Sequence, residues 1–504
     1  MTDKVIIIDF GAVNTQLIAR ALRNAQIYCE IYPYNNQGDL DWSEIKAVVF
    51  SAIPEQFSDK NRGAFSWNSI PENIVKFYIG SSFQLVAEKS KNLKYQNLKN
   101  EIEQALILKT EEFTLCSDWK KAPLAQLVKN NTTDAQTLIS YEDESTDALS
   151  YFPELQAYWF NFALYANEIE VQDTCFARMI KNLAKIEEEF TAEKFIANAI
   201  DAIRKQVGSK KVIMAISGGV DSTVAAHLIH KAIGNQLYCF FVDTGLMRKN
   251  EGEKVLKNYQ NSGLNINAIA ASSRYFEALK GISSPEEKRK IIGGLFIELF
   301  QEEADKVADV AFLGQGTIYP DIIESLAIDG SAKIKSHHNV GGLPDFMKLE
   351  LVEPLKYLFK DEVRNIGRAL GIAPNLVDRH PFPGPGLGIR ILGEVTEKKA
   401  KILQEADAIF IELLEEWGLY QKVWQAAAIL LPVQSVGSKD GKRTYEYTLA
   451  IRAVNSIDGM TAEWIHLPYE FLNALSEKII HEVEGINRVV YDISNKPPAT
   501  IEWE

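Results

Sequence analysis

The strongest constraint on the fold is a short glycine-rich loop between a predicted strand and a predicted helix. The loop, residues 217–222, reads SGGVDS, and the apolar run of residues 212–216 precedes it. Residues 223–233 have the pattern of a helix, and residues 237–242 form the next strand-like run. A strand, a loop, a helix and a second strand in this order indicate a nucleotide-binding α/β domain.

The residue types in this loop suit a phosphate group. A helix N-terminus presents free backbone N–H groups and partial positive charge. Gly218 and Gly219 let the backbone come close to an anion, and Ser217 and Ser222 add hydroxyl donors. The chain has no GxxxxGK[ST] sequence, so the loop is not a Walker A loop. We predict that it holds the β and γ phosphates of ATP as a leaving group, which favours attack at the α-phosphate.

The composition is that of a globular protein and excludes some classes of partner. The chain has 504 residues, which at ~100–200 residues per domain suggests about three domains. A net charge of −14 argues against a duplex nucleic-acid partner, which needs a basic face. None of the four cysteines forms a CxxC pair, so we expect no zinc site, no disulfide framework and a cytoplasmic location. No apolar run is long enough to span a membrane, so we expect no membrane partner.

The chain is predicted to be α/β, with three domains. Strand-like runs at 5–8, 27–34, 47–50 and 74–79 alternate with helical patterns in a first domain, residues 1–187. A charged helical segment over residues 182–206 links it to an α/β doubly wound domain, residues 188–380. The cluster PFPGPG at 381–386 cannot lie inside a regular helix or strand and marks the next boundary. The last domain, residues 381–504, mixes a helix over about 397–417 with strand-like runs and is predicted to be α+β.

The loop sequence resembles that of the ATP pyrophosphatase (N-type) family. Further segments resemble the GMP synthetases of that family: FVDTG at 241–245, KRKIIG at 288–293, GQGTIYPD at 314–321, KSHHNVGGLP at 335–344, RHPFPGPGL at 379–387 and KPPATIEWE at 496–504. The resemblance is near-continuous from about residue 190 to residue 504. It implies an ATP pyrophosphatase domain followed by a C-terminal dimerisation domain, and therefore a homodimer.

The resemblance also implies a definite reaction. The 2-oxo group of xanthosine 5′-monophosphate (XMP) would attack the α-phosphorus of Mg-ATP, and pyrophosphate would leave into the 217–222 loop. Ammonia would then displace AMP from C2 of the adenylyl-XMP intermediate and give GMP. Adenylation is needed because a ring amide carbonyl is a poor electrophile and its oxygen is a poor leaving group.

Residue roles follow from the same resemblance. Asp221, Lys335 and His337 would act in catalysis, Asp221 also as a Mg²⁺ ligand, and the other two on a mobile segment over the reacting centre. The implied ATP- and pyrophosphate-binding residues are Ser217, Gly218, Gly219, Val220, Asp221, Ser222, Thr223 and Asp243. The implied XMP-binding residues are Arg379, Arg452, Lys496 and Glu502.

The first domain resembles a class I glutamine amidotransferase through DFG at 9–11, TQLIAR at 15–20 and YCE at 28–30. A working glutaminase needs a cysteine nucleophile, a histidine base and a glutamate that orients the histidine. Gly80 stands at the nucleophile position, and Asn161 and Ala163 stand where the family has histidine and glutamate. The first histidine of the chain is His227, so a serine at the elbow would also lack a base. We predict a glutaminase-like domain without glutaminase activity.

Three functions remain open from the sequence. The first is an ammonia-dependent GMP synthetase. The second is a paralogue that adenylates and aminates a different purine-like substrate. The third is a non-catalytic regulator or scaffold, which the intact motifs at 217–222 and 496–504 oppose. The sequence also leaves open whether a separate glutaminase subunit supplies the ammonia.

Overall fold

The structure is a computed structural model of the chain. It describes residues 3–10, 12, 15–35, 40–51, 70–79, 82, 94–96, 103–108, 121–123, 127–129, 135–141, 147–160, 169–187, 189–260, 263–325, 349–439, 441–456 and 461–504. These residues divide into two compact units, one ending at Phe195 and one beginning at Ile196. The predicted boundary near residue 380 lies inside the second unit and stays a prediction.

The first unit is built on a mixed sheet. Its strands are β1 (Lys4–Asp9), β2 (Tyr28–Pro33), β3 (Ile45–Ser51), β4 (Val75–Ile79), β5 (Lys94–Gln96), β6 (Glu103–Leu108), β7 (Lys121–Pro123), β8 (Leu127–Lys129), β9 (Gln136–Tyr141), β10 (Asp147–Phe152) and β11 (Ala157–Phe160). Nine of these described strands form one sheet in the order β2-β1-β3-β4-β11-β10-β9-β6-β7. The first five in that order are parallel and the rest antiparallel. The expectation of a parallel α/β sheet is therefore confirmed for β1 to β4 and β11, while the remaining strands of this sheet are antiparallel.

The helices of this unit are α1 (Thr15–Asn24) and α2 (Ile169–Leu183), and α3 (Ala192–Val207) leads into the second unit. The segment over residues 182–206, predicted to be charged and helical, is helical at its start and from residue 192 onward but not between, because the backbone turns between α2 and α3. Lys185 has a positive φ of 50°, and the Ile186 N–H donates to the Lys181 carbonyl at 2.9 Å, which closes α2. Thr191 then caps α3 by accepting from the Lys194 N–H at 3.3 Å.

The second unit begins with a parallel sheet. Its strands are β12 (Lys211–Ala215), β13 (Leu237–Asp243), β14 (Ile266–Ala270), β15 (Val310–Gly314) and β16 (Glu350–Val352), in the order β14-β13-β12-β15-β16. All of these pairings are parallel. The chain moves from β12 to one side and later returns to the other side, so the strand order reverses at β12. Ligands of open α/β sheets bind at such a switch point, beyond the carboxyl ends of the strands.

Helices connect these strands and cover the sheet. They are α4 (Val220–Ile233), α5 (Glu251–Gln260), α6 (Ser272–Ala278), α7 (Pro285–Ala304), α8 (Tyr319–Ser325), α9 (Lys360–Ala369) and α10 (Pro374–Val377). Strand β12 reads KVIMA and is buried in its middle, as a central strand of a parallel sheet should be. The strand–loop–helix order predicted around residues 217–222 is thus confirmed.

The C-terminal part of the second unit is α+β, as predicted. Helices α11 (Glu397–Glu416) and α12 (Tyr469–Glu482) pack with the strands β17 (Gln425–Lys439), β18 (Lys442–Asn455), β19 (Glu463–Trp464) and β20 (Ile486–Tyr491). β18 is central: it pairs antiparallel with β17 and β19 and parallel with β20. No helix among the described residues combines the length and the apolar character needed to cross a membrane.

The proline- and glycine-rich segment joins this part to the parallel sheet. The Leu387 N–H donates to the Leu246 carbonyl at 2.7 Å. Gly386 has a positive φ of 62°, and a Cβ there would lie 2.3 Å from the same carbonyl oxygen. Only glycine fits at this position, because a side chain would be both strained and in collision. One buried apolar cluster continues from Leu246 through Leu387 to Phe410, so the two parts share a core.

Phe410→Ala tests this shared core. Phe410 is fully buried on α11, so its truncation leaves a cavity, and we expect the free energy of unfolding of the second unit to fall by about 3–5 kcal/mol. Urea unfolding followed by tryptophan fluorescence measures the change. Glu412→Ala, at an exposed position of the same helix, is the control. Equal unfolding midpoints for the two variants would contradict the assignment of Phe410 to the shared core.

Candidate active site

The loop at residues 217–222 follows β12 at the switch point of the sheet. The Ile216 N–H still pairs with the Phe240 carbonyl at 2.8 Å, after which the chain leaves the sheet. Gly218 has a φ of +75°, and a Cβ on it would lie 3.0 Å from Val255 Cγ2. The loop therefore needs glycine at 218, both for its conformation and for its close contact with α5. Gly219 is the N-cap of α4 and has no side chain to occupy the helix end.

Hydroxyl groups close the loop on itself. Ser217 Oγ lies 3.1 Å from Ser222 Oγ and accepts from the Gly219 N–H at 3.2 Å. Ser222 Oγ and Thr223 Oγ1 both lie within hydrogen-bond distance of the Gly219 carbonyl, at 3.1 and 2.7 Å. These bonds hold a concave turn in front of the helix N-terminus, where backbone N–H groups and the helix dipole favour an anion. Ser217 is exposed at its mouth.

Asp221 and Lys360 form an ion pair at the edge of the loop. Lys360 Nζ contacts Asp221 Oδ2 at 2.5 Å, and Asp221 Oδ1 is buried without a hydrogen-bond partner among the described residues. An unpartnered carboxylate oxygen beside a phosphate loop suits Mg²⁺, which proteins hold through one or two carboxylates together with substrate phosphates. Lys360 is the first residue of α9.

Sequence reasoning did not identify Lys360. A lysine in the first turn of a helix is unfavourable, because its positive charge lies at the positive end of the helix dipole. A residue that is locally unfavourable in this way is a weak indication of a functional site. That signal was available at Lys360, although no motif accompanies it.

The segment after β15 lies directly against the loop. A Cβ on Gly316 would lie 2.8 Å from the Ser222 backbone nitrogen and 2.9 Å from the Asp221 carbonyl carbon. Beside it, Thr317 Oγ1 donates to Glu353 Oε1 at 2.6 Å. The GQGT sequence thus lets one backbone segment pack closely on the first turn of α4 and supports the loop from the neighbouring strand.

Asp243 ends β13, the strand next to β12. Its carboxylate accepts from the Gly245 N–H at 2.9 Å and its side chain is exposed. Carboxyl ends of adjacent parallel strands meet at one edge of the sheet, so Asp243 lies on the same edge as the loop. This placement is compatible with the implied contact to the adenosine part of ATP, which stays a prediction.

Arg379 lies on the phosphate loop. Its Nη1 donates to the Gly218 carbonyl, and its Nη2 pairs with Glu251 Oε1. The other carboxylate oxygen of Glu251 accepts from the Arg248 N–H at 2.9 Å. Within the second unit, the implied XMP ligand Arg379 therefore fixes the orientation of a loop peptide.

Arg452 is buried under the C-terminal segment. Its guanidinium donates to the carbonyls of Ile501 and Thr500 at 3.0 Å each and to Ser494 at 2.8 Å. It also pairs with Asp492 at 2.8 Å. These bonds use four of the five N–H groups of an arginine. Arg452 thus shapes the segment that carries the KPPATIEWE motif.

Lys496 and Glu502 lie at the two ends of that motif. The Lys496 backbone pairs with Ala462 in both directions, at 2.8 and 3.0 Å. Glu502 receives two hydrogen bonds from Arg390, at 3.0 and 2.8 Å. Gln425 adds a third hydrogen bond at 2.5 Å. Burial alone would raise the pKa of the Glu502 carboxyl, but the charge and hydrogen bonds of Arg390 hold that pKa below its usual range.

Several implied site residues lie outside the described residues. They are Lys335, His337, Gly80, Asn161 and Ala163. In the first unit, the residues just before two of them can be placed. Ile79 ends β4 and Phe160 ends β11, and the two are partners in parallel strands. Ser82 is described; its side chain is fully buried, and its hydroxyl has no hydrogen-bond partner among the described residues.

Comparison with known proteins agrees with this geometry. The family model described as NAD synthase matches residues 192–284, which include the loop, and the model described as GMP synthase C terminal domain matches residues 412–503. The phosphate loop, its position at the switch point and these matches define an ATP-dependent ligase of the ATP pyrophosphatase class.

Full-length relatives narrow this class. The chain is 47% identical over 518 residues to the GMP synthase [glutamine-hydrolyzing] of Christiangramia forsetii. It is 46% identical to the proteins of that name from Cytophaga hutchinsonii, over 522 residues, and Porphyromonas gingivalis, over 520 residues. Each comparison covers 100% of both chains. The chain belongs to the GMP synthase family.

A solved structure, that of NMN synthetase from Francisella tularensis, is also similar. It has a TM-score of 0.31 and 14% identity, and the match covers 46% of this chain and 94% of that chain. This likeness is too weak to support an inference.

Gly316→Ala tests the support of the loop. The added methyl group collides with backbone atoms of α4, which cannot move aside like a flexible side chain, so we expect the loop to shift and the affinity for inorganic pyrophosphate to fall by about tenfold or more, a loss of at least ~1.4 kcal/mol. Isothermal titration calorimetry measures this affinity. Gly294→Ala is the matched control, since its Cβ would enter open space. An unchanged affinity for Gly316→Ala would show that the close approach is not needed.

Proposed function

We propose that this chain converts XMP, ATP and ammonia into GMP, AMP and diphosphate through an adenylyl-XMP intermediate. The observation that carries the proposal is the loop at residues 217–222, closed by its own hydroxyls and flanked by the Asp221–Lys360 pair. A site that grips the β and γ phosphates leaves the α-phosphorus open to attack. Membership of the GMP synthase family supports XMP as the attacking acceptor.

Different groups of the loop bind different parts of ATP and its Mg²⁺ ion. Backbone N–H groups at the start of α4 hold the leaving pyrophosphate, and Ser217 and Ser222 donate to its oxygens once ATP displaces their mutual contact. Lys360 turns from Asp221 to the phosphates and neutralises the charge that develops on the leaving group. Asp221 is then free to hold Mg²⁺, which supplies further neutralisation of the phosphate charge.

The acceptor lies, in this proposal, against the C-terminal segment. Lys496 suits the phosphate of a nucleotide, and the ionised Glu502 accepts from N–H groups at a purine edge. Arg452 holds the backbone that presents both residues. Arg379 orients the phosphate loop through its hydrogen bond to the Gly218 carbonyl.

Ammonia is the proposed nitrogen source. The relatives are named as glutamine-hydrolysing, but no histidine precedes His227 in this chain, so its first 226 residues contain no imidazole base. Ammonia from a separate glutaminase subunit remains compatible with this proposal. A second candidate function, amination of a different purine-like acceptor, is favoured only by this altered first domain.

We also propose a cytoplasmic homodimer. Exposed apolar side chains on the C-terminal part support an interface between two copies of the chain. They include Val433, Val436, Tyr445 and Ile493, which are 52–62% exposed.

The nitrogen source is tested by one assay. Purified protein receives ATP, Mg²⁺ and XMP with either ammonium or glutamine, and GMP and AMP are separated and measured. We expect GMP with ammonium and none above background with glutamine, because the first domain contains no histidine to act as the base. GMP formation with glutamine alone would overturn the claim that the glutaminase is inactive. AMP formation with another purine nucleotide but not with XMP would favour the paralogue.

Lys360→Met tests the proposed role of this lysine at the phosphates. We expect kcat to fall by about 100-fold or more, because charge on the leaving pyrophosphate is no longer neutralised. The KM for XMP should stay within about twofold, since Lys360 contacts the phosphate loop and not the C-terminal segment. Lys398→Met, an exposed lysine in the first turn of α11, is the matched control. A rise in the KM for XMP at unchanged kcat would contradict the role.

A further inference from the structure

Arg390 is the most deeply buried cation of the C-terminal part and it faces the acceptor motif. Its side chain is 0% exposed. Its backbone is fixed on both sides, because its N–H donates to Leu387 at 3.0 Å and its carbonyl accepts from Leu430 at 2.8 Å. The ring of Phe382 lies 5.0 Å from the guanidinium carbon, which limits movement of the side chain. The direction of this guanidinium is therefore set by the fold.

This guanidinium fixes both oxygens of Glu502. Nε donates to Oε2 at 3.0 Å and Nη2 to Oε1 at 2.8 Å, the bidentate geometry that an arginine forms with a carboxylate. Gln425 donates a further hydrogen bond to Oε1 at 2.5 Å. A carboxylate has about four acceptor positions, and these three bonds leave one, on Oε2. Glu502 thus presents one directed acceptor to a ligand.

We propose that Arg390 is a positioning residue for the reaction, which holds Glu502 ionised and oriented so that the site selects an acceptor with an N–H donor at that edge. The inference rests on the proposed function for the identity of the acceptor as XMP. Its structural part, control of the Glu502 carboxylate by Arg390, stands on the geometry alone.

Among the described residues, only Arg390 forms an ion pair with Glu502, although Gln425 and the charge of Arg248 also favour its ionised form. Asp407 on α11 lies 3.7 Å from Arg390 Nη1 and supplies a second negative charge, while Arg248 lies 3.4 Å from Asp407. His380 is neutral, because burial lowers its pKa to about 4. The other charged groups on elements packed around this cluster are Glu251, Lys288, Arg379, Arg452, Asp492 and Glu504. Without Arg390, Glu502 would be a buried carboxyl with no direct cation.

Arg390→Gln tests the proposal. Without the Arg390 charge and hydrogen bonds, burial raises the pKa of Glu502 against only the smaller effects of Gln425 and Arg248, so the carboxyl becomes neutral as the pH falls through the raised pKa. We expect the KM for XMP to rise at least tenfold at pH 8. We also expect kcat/KM for XMP to gain an acidic limb that the wild type lacks, while the KM for ATP changes less than threefold. A general loss of structure would change both KM values and would produce no such limb.

The double variant Arg390→Gln with Glu502→Gln identifies the titrating group. It carries no carboxyl at 502, so the acidic limb should disappear although the KM for XMP stays high. A limb that persists would assign it to another group and overturn the proposal. Arg274→Gln, the same change in an exposed ion pair on α6, is the matched control and should leave all constants unchanged.

A milder variant covers the case in which Arg390→Gln does not fold. Gln425→Leu removes one hydrogen bond to Glu502 and keeps the guanidinium, so we expect a three- to tenfold rise in the KM for XMP and no acidic limb. If Arg390→Gln fails to fold and Gln425→Leu leaves the KM for XMP unchanged, the positioning role is wrong.

The melting temperature separates this inference from the proposed function. In Arg390→Gln the folded-state pKa of Glu502 lies above its unfolded value, so this group makes the folded state less stable as pH rises through that window. The Tm difference between Arg390→Gln and the double variant should therefore change with pH. It needs no substrate, so it tests Arg390 even if the wild type does not convert XMP. A pH-independent difference would refute the role of Arg390.

Discussion

Burying an ionised side chain costs free energy unless an opposite charge lies beside it, and the second unit meets this condition by alternating its charges. Arg379 pairs with Glu251, the Arg248 side chain pairs with Asp407 while its backbone N–H donates to Glu251, and Arg390 lies between Asp407 and Glu502. Three arginines thus balance three carboxylates from the phosphate loop to the acceptor motif. Because each group depends on its neighbours, the relative placement of loop and motif follows from the need for charge pairing.

The parts of the site that are local in sequence could be predicted. The loop at 217–222 can be recognised from two glycines and two serines between a strand and a helix. Binding of a phosphate by such a loop requires a backbone geometry that only a few residue types permit. Helix α11 was predicted within one residue of its observed end. These features depend on short-range rules of patterning and capping.

The parts that depend on distant residues could not be predicted. Lys360 meets Asp221 across 139 positions, and Arg390 meets Glu502 across 112. A single sequence contains no sign of either pairing. The resemblance implies Arg379 as an XMP ligand, which stays a prediction, and the sequence gives no sign that its guanidinium donates to the Gly218 carbonyl 161 positions away. The break between α2 and α3 was also missed, because charge continues across it while the cap at Thr191 is a single hydroxyl.

Lys288 shows how pairing between distant residues affects the stability of the second unit. Its side chain on α7 is completely buried, and its ammonium group donates to the Ile391 carbonyl at 2.7 Å and pairs with Glu504. Glu504 lies 216 positions further along. Burial opposes the charge on Lys288 and lowers its pKa, while Glu504 counteracts this effect. Loss of the Glu504 carboxylate would therefore leave a buried cation with a single carbonyl beside it, which links the stability of α7 to a residue far along the chain.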